Sequence, residues 1–351
     1  MARGWAVGEA SPGGAGSGQR PKGAAQMIRF QAFLAMAALA VGFLSAAGPA
    51  NAQATRTWVS GVGDDANPCS RTAPCQTFSG AFGKTAAGGE IDCLDPGGFG
   101  GLHITHAISI ICDGVSNGGV TVAAGTSAID IDAAPSDTVV LSGLDIDGDG
   151  VDGVGVVFAS GQALYVRNCV IRSFVSDGIL VDSIQTTPAS LYVDNTSIEN
   201  IANPGSPGNS EAGIYIVPRS SGAMSVTINR TQVANSFFGI VVDGTLGTGK
   251  ISGVVRDSVV SGNLQNGITV SIGTAPGISL LVDNVAVTNN GNNGLAASGA
   301  NAGMIVSNST ISGNGGGLHE ANSGVIDSYG NNRVNANNGN DGAFSSTIAQ
   351  K

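Results

Sequence analysis

The sequence predicts an all-β fold, a single-domain parallel β-helix in which short strands stack coil upon coil. Glycine contributes 55 of the 351 residues. Abundant Gly and Asn between regularly spaced Val and Ile is typical of short strands joined by tight turns. A pair of half-units also repeats through the second half of the chain, and apolar residues alternate with polar ones inside each half-unit.

One complete repeat unit occupies residues 163–182. Its first half places Val166 two residues before Asn168 and Ile171 three residues after it, and Gly178 opens the second half. Equivalents of Asn168, here called anchors, recur at intervals of 23 to 27 residues, with one interval of 35 that holds the turn-rich insertion 203–212. The anchors are Gly143, Asn168, Asn195, Arg230, Asp257, Asn284, Asn308 and Asn331.

The positions that flank each anchor are apolar and are predicted to point inward, because side chains of a strand alternate between its two faces. Two residues before the anchor stand Leu141, Val166, Val193, Ile228, Val255, Val282 and Val306. A turn of such short strands that closes in about 23–28 residues is one coil of a parallel β-helix. A leucine-rich repeat would need its own leucine frame and a helix-friendly half, and the sequence has neither.

Asn at the anchor has a physical reason, because it tolerates the left-handed backbone of a tight turn. Stacking of coils places Asn168 over Asn195 and Asn284 under Asn308, so their side-chain amides are expected to hydrogen-bond along the stack. A second row stands six residues after its anchors and consists of Asn263, Asn290, Asn314 and Asn337.

Residues 53–90 are predicted to form an N-terminal cap with a disulfide loop, and residues 91–351 the coils. Within residues 76–87, Phe78 and Phe82 stand four apart, on one face of a short capping helix that the pair Gly88 and Gly89 ends. Repeat folds need such an atypical first unit to cover the open end of the core.

Residues 27–52 are predicted to be a secretory signal peptide that is cleaved after Ala52. Arg29 supplies its basic region, and residues 33–44 form a run without polar side chains. An uncleaved membrane anchor is the alternative, although this apolar run is short for a span. Residues 1–26 are expected to be a non-native extension ahead of a true start at Met27. The mature chain is expected to be secreted or periplasmic, monomeric and without a membrane span.

Export permits disulfides among the five cysteines. Cys69 and Cys75 flank a compact loop, and the separation of 19 residues from Cys93 to Cys112 suits neighbouring coils. These two pairings leave Cys169 free. A zinc cluster is the competing interpretation, but no Cys-x-x-Cys pair is present and the chain has only three His.

The net charge of −10 excludes a nucleic-acid or anionic-membrane partner, because neither binds an acidic protein without a basic patch. Residues 1–52 carry four basic residues and one Glu, so the remaining chain carries −13. Such a chain has few cationic side chains with which to hold an acidic polysaccharide, and a bound divalent cation would link the two acidic partners.

Coils of this length with Asn rows resemble the right-handed parallel β-helix proteins of the pectate-lyase-like superfamily. Residues 73–100, APCQTFSGAFGKTAAGGEIDCLDPGGFG, resemble the cap and first coil of secreted bacterial β-helix repeat proteins. Residues 328–344, SYGNNRVNANNGNDGAF, resemble the last coil of uncharacterised secreted members of that group. The resemblance implies the fold, but related folds serve as lyases, hydrolases, epimerases and adhesins, so it leaves the activity open.

The resemblance also implies where chemistry should be sought. Polygalacturonase-type hydrolases use Gly-His-Gly and Arg-x-Lys motifs, and both are absent from this sequence. Pectate lyases hold calcium with stacked carboxylates and use Arg or Lys as the base. Residues 144–153, LDIDGDGVDG, begin like a calcium loop, but Val156 stands where the closing Glu is expected. A Ca²⁺ site and a solvated acidic turn are both open for Asp145, Asp147, Asp149 and Asp152.

Two arginines and two tyrosines on the outer surface are the remaining candidates. Arg167 and Arg256 immediately precede anchors, where either would serve as the base of a lyase. The structural alternative pairs Arg167 with Asp194 and Arg256 with Asp283 on adjacent coils. Tyr165 and Tyr192 are expected to stack on the exterior, either as a carbohydrate-binding platform or simply as good sheet formers.

The leading functional hypothesis is a secreted, non-catalytic β-helix protein that binds cell-surface or extracellular polysaccharide or another surface partner. The alternatives are a calcium-dependent polysaccharide lyase of the pectate-lyase type and a purely structural surface protein. The complete architecture without an assembled catalytic set favours the first hypothesis.

Overall fold

The computed structural model describes residues 53–115, 118–122, 125–150, 153–201, 211–273 and 277–350. The predicted signal peptide, the extension ahead of Met27 and nearly all of the insertion lie outside these residues.

Three parallel sheets surround one apolar interior, and each full coil contributes a short strand to each sheet. Within the described residues, sheet I has 12 strands, sheet II has 10 and sheet III has 9. The predicted parallel β-helix is therefore confirmed.

The strands are numbered in chain order. Sheet I contains β1 (Ala54–Val59), β2 (Thr85–Cys93), β5 (Ile108–Ile111), β8 (Thr138–Ser142), β11 (Ala163–Arg167), β14 (Ala189–Asp194), β17 (Met224–Asn229), β20 (Ile251–Arg256), β23 (Ile278–Asp283), β26 (Ala302–Ser307), β29 (Val325–Ser328) and β31 (Ser346–Thr347). Sheet II contains β3 (Gly97–Gly98), β6 (Gly118–Thr121), β9 (Leu144–Asp147), β12 (Val170–Arg172), β15 (Ser197–Glu199), β18 (Gln232–Ala234), β21 (Val259–Ser261), β24 (Ala286–Thr288), β27 (Thr310–Ser312) and β30 (Arg333–Asn335). Sheet III contains β4 (Leu102–Ile104), β7 (Ile129–Asp132), β10 (Val156–Ser160), β13 (Ile179–Val181), β16 (Ala212–Ile216), β19 (Phe238–Asp243), β22 (Ile268–Ser271), β25 (Asn293–Ser298) and β28 (Gly316–Ala321).

The predicted inward positions form the core. Val166 and Ile171 of one coil and Val193 and Ile198 of the next are buried, and they lie in register across sheets I and II. Because every coil repeats this placement, identical faces stack along the whole solenoid and bury one continuous interior.

The anchors form the turn between sheets I and II. From Gly143 to Asn308, every anchor has a left-handed backbone, with φ between +46° and +73°. Arg230 and Asp257 adopt this conformation as well, although it is less favourable for them than for Gly or Asn. The repeat therefore fixes the turn geometry even where the anchor residue type varies.

Two asparagine rows line the turns, one buried and one exposed. In the buried row, Asn263 donates to Asn290, Asn290 to Asn314 and Asn314 to Asn337, with N–O distances of 2.8, 2.8 and 2.9 Å. This confirms the predicted second row. Each side-chain oxygen also accepts a backbone N–H of the preceding coil, which leaves no row amide without a partner.

The exposed anchor row agrees with the prediction only in part. Asn195 donates to Asn168 over 2.8 Å, as predicted. The predicted pair Asn284–Asn308 is wrong, because Asn308 donates to the Asp283 carboxylate over 3.0 Å instead. A carboxylate within reach is a stronger acceptor than a neutral amide.

The capping helix is shorter than predicted. Helix α1 spans Phe78–Phe82, and Thr77 caps it by accepting a hydrogen bond from the Gly80 N–H. Gly88 and Gly89 do not end the helix, because they lie inside β2, which pairs with β1 and β5. Strand pairing on both sides overrides the local helical pattern. No helix in the described ranges is long and apolar enough to cross a membrane.

Both predicted disulfides are present. Cys69 and Cys75 close the loop of the cap, and Cys93 and Cys112 join the ends of two adjacent coils of sheet I. Cys169 is free and buried, as predicted. Burial raises the pKa of its thiol to about 12, so this cysteine is a small core residue rather than a reactive one.

Candidate functional site on the outer faces of sheets I and II

Sheet I presents two outward rows that the strand register aligns from coil to coil. One row contains Arg56, Glu90, Ser109, Val140, Tyr165, Tyr192, Thr227, Val254, Leu281 and Ile305. The other row contains Trp58, Asp92, Ile111, Ser142, Arg167, Asp194, Asn229, Arg256, Asp283 and Ser307.

Tyr165 and Tyr192 stack as predicted. Their ring centroids are 4.5 Å apart and their planes differ by 5°. The Arg167 guanidinium also lies over the Tyr165 ring, 4.6 Å from its centroid. These contacts cover ring faces that a sugar would need for stacking, so the stack offers a partner mainly the guanidinium and the ring edges.

The two predicted ion pairs of sheet I are wrong. Arg167 lies beside Asp194 in register, but Asp194 binds Arg230 and accepts from Asn229 over 2.7 Å. Arg230 is an anchor, and its side chain reaches back to the carboxylate that Arg167 was expected to hold. Among the described residues, Arg167 therefore has no carboxylate within 4.0 Å.

Arg256 likewise does not pair with Asp283. Its Nε donates to Asn229 Oδ1 over 3.1 Å, and the carboxylate within ion-pair range is that of Asp257 at 4.0 Å. Asp283 accepts from Asn308 instead. The two arginines that were candidates for a catalytic base thus lie three coils apart on sheet I and have different surroundings.

A groove of about 430 Å³ opens at the N-terminal end of sheet I. This sheet I groove is lined by Arg56, Trp58, Arg71, Asp92, Cys93, Leu94, Ile111 and Asp113. Arg56 binds Glu90 over 3.1 Å and also Asp92, and its guanidinium lies 5.6 Å from the centre of the Trp58 ring. Burial and the neighbouring Asp92 raise the pKa of Glu90.

The sheet I groove adjoins the tyrosine stack. Asp113 accepts from Ser142 Oγ over 2.6 Å and from Asn168 Nδ2 over 2.9 Å. Asn168 immediately follows Arg167, so the groove wall continues into the stack. Arg71 lines the groove without a carboxylate within 4.0 Å in the described part of the chain.

A second groove of about 430 Å³ lies on sheet II and contains two of the predicted calcium ligands. This sheet II groove is lined by Pro96, Gly97, Gly98, Gly119, Asp145, Asp147 and Arg172. Arg172 binds both oxygens of Asp145, and its Nη2 lies 3.0 Å from Asp147 Oδ2. The hydrogen bond to Asp145 is the largest cause that raises the pKa of Arg172.

Arg172 bridges two of the four predicted calcium ligands, Asp145 and Asp147. Asp147 Oδ1 accepts the backbone N–H of Asp149 over 3.0 Å, which is ordinary turn chemistry. Asp152 lies outside the described residues. In the described segments, no group of three or more His, Cys, Asp or Glu side chains is arranged to hold a metal ion. Calcium binding by this segment stays a prediction.

Sequence reasoning missed Arg172, Trp58 and Arg71. Arg172 stands four residues after its anchor, and Asp147 stands four after the previous anchor, so an alignment of that outward position would have paired them. Trp58 and Arg71 precede the first recognisable repeat unit, and no repeat pattern points to them.

Comparisons with known proteins add two structural neighbours. No protein-family model matches the sequence, and no curated protein matches it. The crystal structure of pectate lyase Pel9A is similar with a TM-score of 0.48 and 11% identity, over 80% of this chain and 79% of that chain. A rhamnogalacturonan lyase is similar with a TM-score of 0.29 and 12% identity, over 72% of this chain and 82% of that chain.

Proposed function

We propose that this protein is a secreted, non-catalytic β-helix that binds extracellular or cell-surface polysaccharide in the sheet I groove. The observation that carries the proposal is the convergence of Trp58, Arg71 and Asp113 in one groove. An aromatic side chain supplies an apolar surface for a sugar, while the carboxylate and the guanidinium accept from and donate to its hydroxyls. Two disulfides are consistent with an extracellular or periplasmic protein.

Arg167 extends the site toward the tyrosine stack. Several arginines of this acidic protein already form ion pairs with carboxylates. They are Arg56, Arg172, Arg219 and Arg230. Arg71 and Arg167 keep their donors available to a partner. A polysaccharide chain that lies along the solenoid axis would contact the groove first and then Arg167.

Two observations on the arginines argue against the alternative of a calcium-dependent lyase. The base of a β-elimination must be unprotonated before it can accept the proton of the substrate. The arginine beside the candidate calcium ligands, Arg172, has its pKa raised, which favours its protonated form. Arg167 and Arg256 lie on sheet I, whereas Asp145 and Asp147 lie on sheet II. A lyase site would need these groups to converge.

A binding and turnover experiment on residues 53–351 tests the proposal. Immobilised polysaccharides, neutral and acidic, are screened for binding, and the same polysaccharides with calcium are followed for absorbance of unsaturated products. We expect binding without product formation, weakened by Trp58→Ala and Arg71→Gln but not by the control Arg256→Gln. Sustained product formation that Arg167→Gln or Arg256→Gln abolishes would establish the lyase instead. No binding across the panel would favour a purely structural surface protein.

A further inference from the structure

The outward strand positions at the floor of the sheet II groove, Gly98 and Gly119, carry no side chains. Strand β3 pairs with β6 so that Gly97 faces Gly118 and Gly98 faces Gly119. The next two coils carry Asp145, Asp147 and Arg172 at the outward positions. Adjacent strands lie about 4.8 Å apart. The outward surface at Gly98 and Gly119 is therefore two strands wide and without side chains, and it is here called the shelf. Asp145, Asp147 and Arg172 border it and are here called the charged wall.

Packing explains three of the four glycines. A Cβ on Gly97 would lie 2.8 Å from the Phe99 ring, and one on Gly118 would lie 2.6 Å from Cys112 Cβ. A Cβ on Gly119 would lie 2.8 Å from the Gly97 carbonyl oxygen. These three positions are too crowded for any side chain.

Gly98 is different, because a Cβ there would meet no atom of the described residues within 4 Å. Its backbone is not in the left-handed region either. Glycine weakens a strand, and where neither packing nor conformation demands it, it often marks the close approach of a ligand or another backbone. The bare surface at Gly98 is therefore an observation that points to a ligand independently of the charged wall.

A disulfide bond lies next to the two floor strands. The disulfide Cys93–Cys112 links the two sheet I strands that lead directly into β3 and β6. This bridge therefore limits how far the chain segments that enter the two floor strands can separate. A preorganised floor reduces the entropy that binding would otherwise cost.

We infer that the sheet II groove is a second binding site that takes a neutral saccharide unit. The wall combines two carboxylates with one guanidinium that bridges them. The carboxylates repel an anionic ligand, and Arg172 repels a cation. Sugar hydroxyls both donate and accept, which suits a mixed wall. The C–H face of a sugar ring would lie on Gly98 and Pro96, and about 430 Å³ accommodates a small ligand.

This site does not depend on the proposed site on sheet I. The two grooves are lined by different residues on different sheets. Variants of Trp58 and Gly98 therefore separate the two proposals.

The test is a titration of residues 53–351 with neutral hexasaccharides of glucose, mannose, galactose and xylose, and with a galacturonate hexasaccharide. Gly98→Gln fills the shelf at a position with open space above it. Gly303→Gln is the matched control, because Gly303 is also a strand glycine and, among the described residues, its Cβ would meet only the Ile278 carbonyl oxygen at 3.4 Å. Circular dichroism and thermal unfolding confirm that both variants fold.

We expect at least one neutral hexasaccharide to bind, with affinity reduced tenfold or more by Gly98→Gln and unchanged by Gly303→Gln or Trp58→Ala. Asp145→Asn should reduce the same affinity, and the galacturonate hexasaccharide should not compete. The inference is overturned if no neutral hexasaccharide binds, if Gly98→Gln leaves binding unchanged, or if the galacturonate hexasaccharide competes for the same groove.

Discussion

Tyr165 and Tyr192 stack in register on neighbouring strands of sheet I, with ring centroids 4.5 Å apart and planes that differ by 5°. Arg167 covers the Tyr165 ring as well. The pair therefore belongs first to the scaffold, and its contribution to stability can be measured separately from any role in binding.

A double-mutant cycle should detect the tyrosine stack. Tyr165→Leu and Tyr192→Leu each keep an apolar side chain, and we expect a coupling free energy of about 0.5–1.5 kcal/mol between them in urea unfolding. Tyr165→Leu with Leu281→Ala, which lies four strands from Tyr165 on the same sheet, is the additive control. Additivity of the two tyrosine variants would contradict the stacking contribution.

The buried asparagine row should matter far more than the exposed row. Asn290→Ala removes the acceptor of both the Asn263 N–H and the Asn263 side-chain amide. Each buried donor left unpaired costs about 1–3 kcal/mol. Asn331→Ala is the control, because its two bonds with Asn308 are exposed and water replaces them, while its bond to the buried Ser307 Oγ is long at 3.4 Å. Unfolding measurements should show a loss of about 2 kcal/mol or more for Asn290→Ala and under about 1 kcal/mol for Asn331→Ala. Equal losses would contradict this assignment.

Asp177 should make stability fall with rising pH. Its side chain is buried, and burial raises its pKa to about 8, with a further contribution from Glu211. The Ala212 N–H donates to Asp177 Oδ1 over 2.9 Å, which opposes that shift. Because the pKa of Asp177 is higher in the folded than in the unfolded state, the folded state keeps this proton at pH values between the two pKa values. The stabilisation that comes from this proton is fully present below the unfolded pKa and is lost as pH rises through about 8.

Asp177→Asn keeps an oxygen acceptor for Ala212 and does not titrate. The stability of the variant relative to the natural chain should therefore rise between about pH 4 and pH 8, by at most about 1.4 kcal/mol per pH unit. Chemical unfolding at several pH values measures this difference. A difference that stays constant over this range would show that Asp177 is not buried in its neutral form.

Chelation tests the calcium prediction for Asp145, Asp147, Asp149 and Asp152. Because Arg172 already bridges Asp145 and Asp147, we expect the same melting temperature in calcium and in chelator. Arg172→Gln removes the bridging cation, so this variant should become more stable when calcium is added. A clear loss of stability of the natural chain in chelator would show that calcium binds despite Arg172.

Most of the fold could be predicted from the sequence repeat. Val166 and Ile171 could be placed inside, and Asn168 at a left-handed turn, because every coil imposes the same alternation and the same turn. Cys93 and Cys112 could be paired because both stand at the ends of predicted strands and their spacing suits neighbouring coils. Each of these inferences depends on backbone geometry, which a periodic sequence repeats.

The candidate site was harder to predict because it depends on long side chains and on non-repeating coils. Register placed Arg167 beside Asp194, yet Arg230 reaches that carboxylate from the turn. A long arginine side chain can reach several acceptors, and strand register does not determine which of them it binds. Three residues that line the sheet I groove come from the cap, namely Arg56, Trp58 and Arg71. In the cap, strand β2 occupies positions where the local pattern favoured helix.

The most direct test of the central claim is the affinity of residues 53–351 for the polysaccharide that binds best, with and without Trp58→Ala. The proposed site in the sheet I groove predicts at least a tenfold weaker affinity for Trp58→Ala, together with unchanged affinity for Arg256→Gln and native melting temperatures for both. Unchanged affinity for Trp58→Ala, or no binding by the natural chain, would contradict polysaccharide binding in this groove.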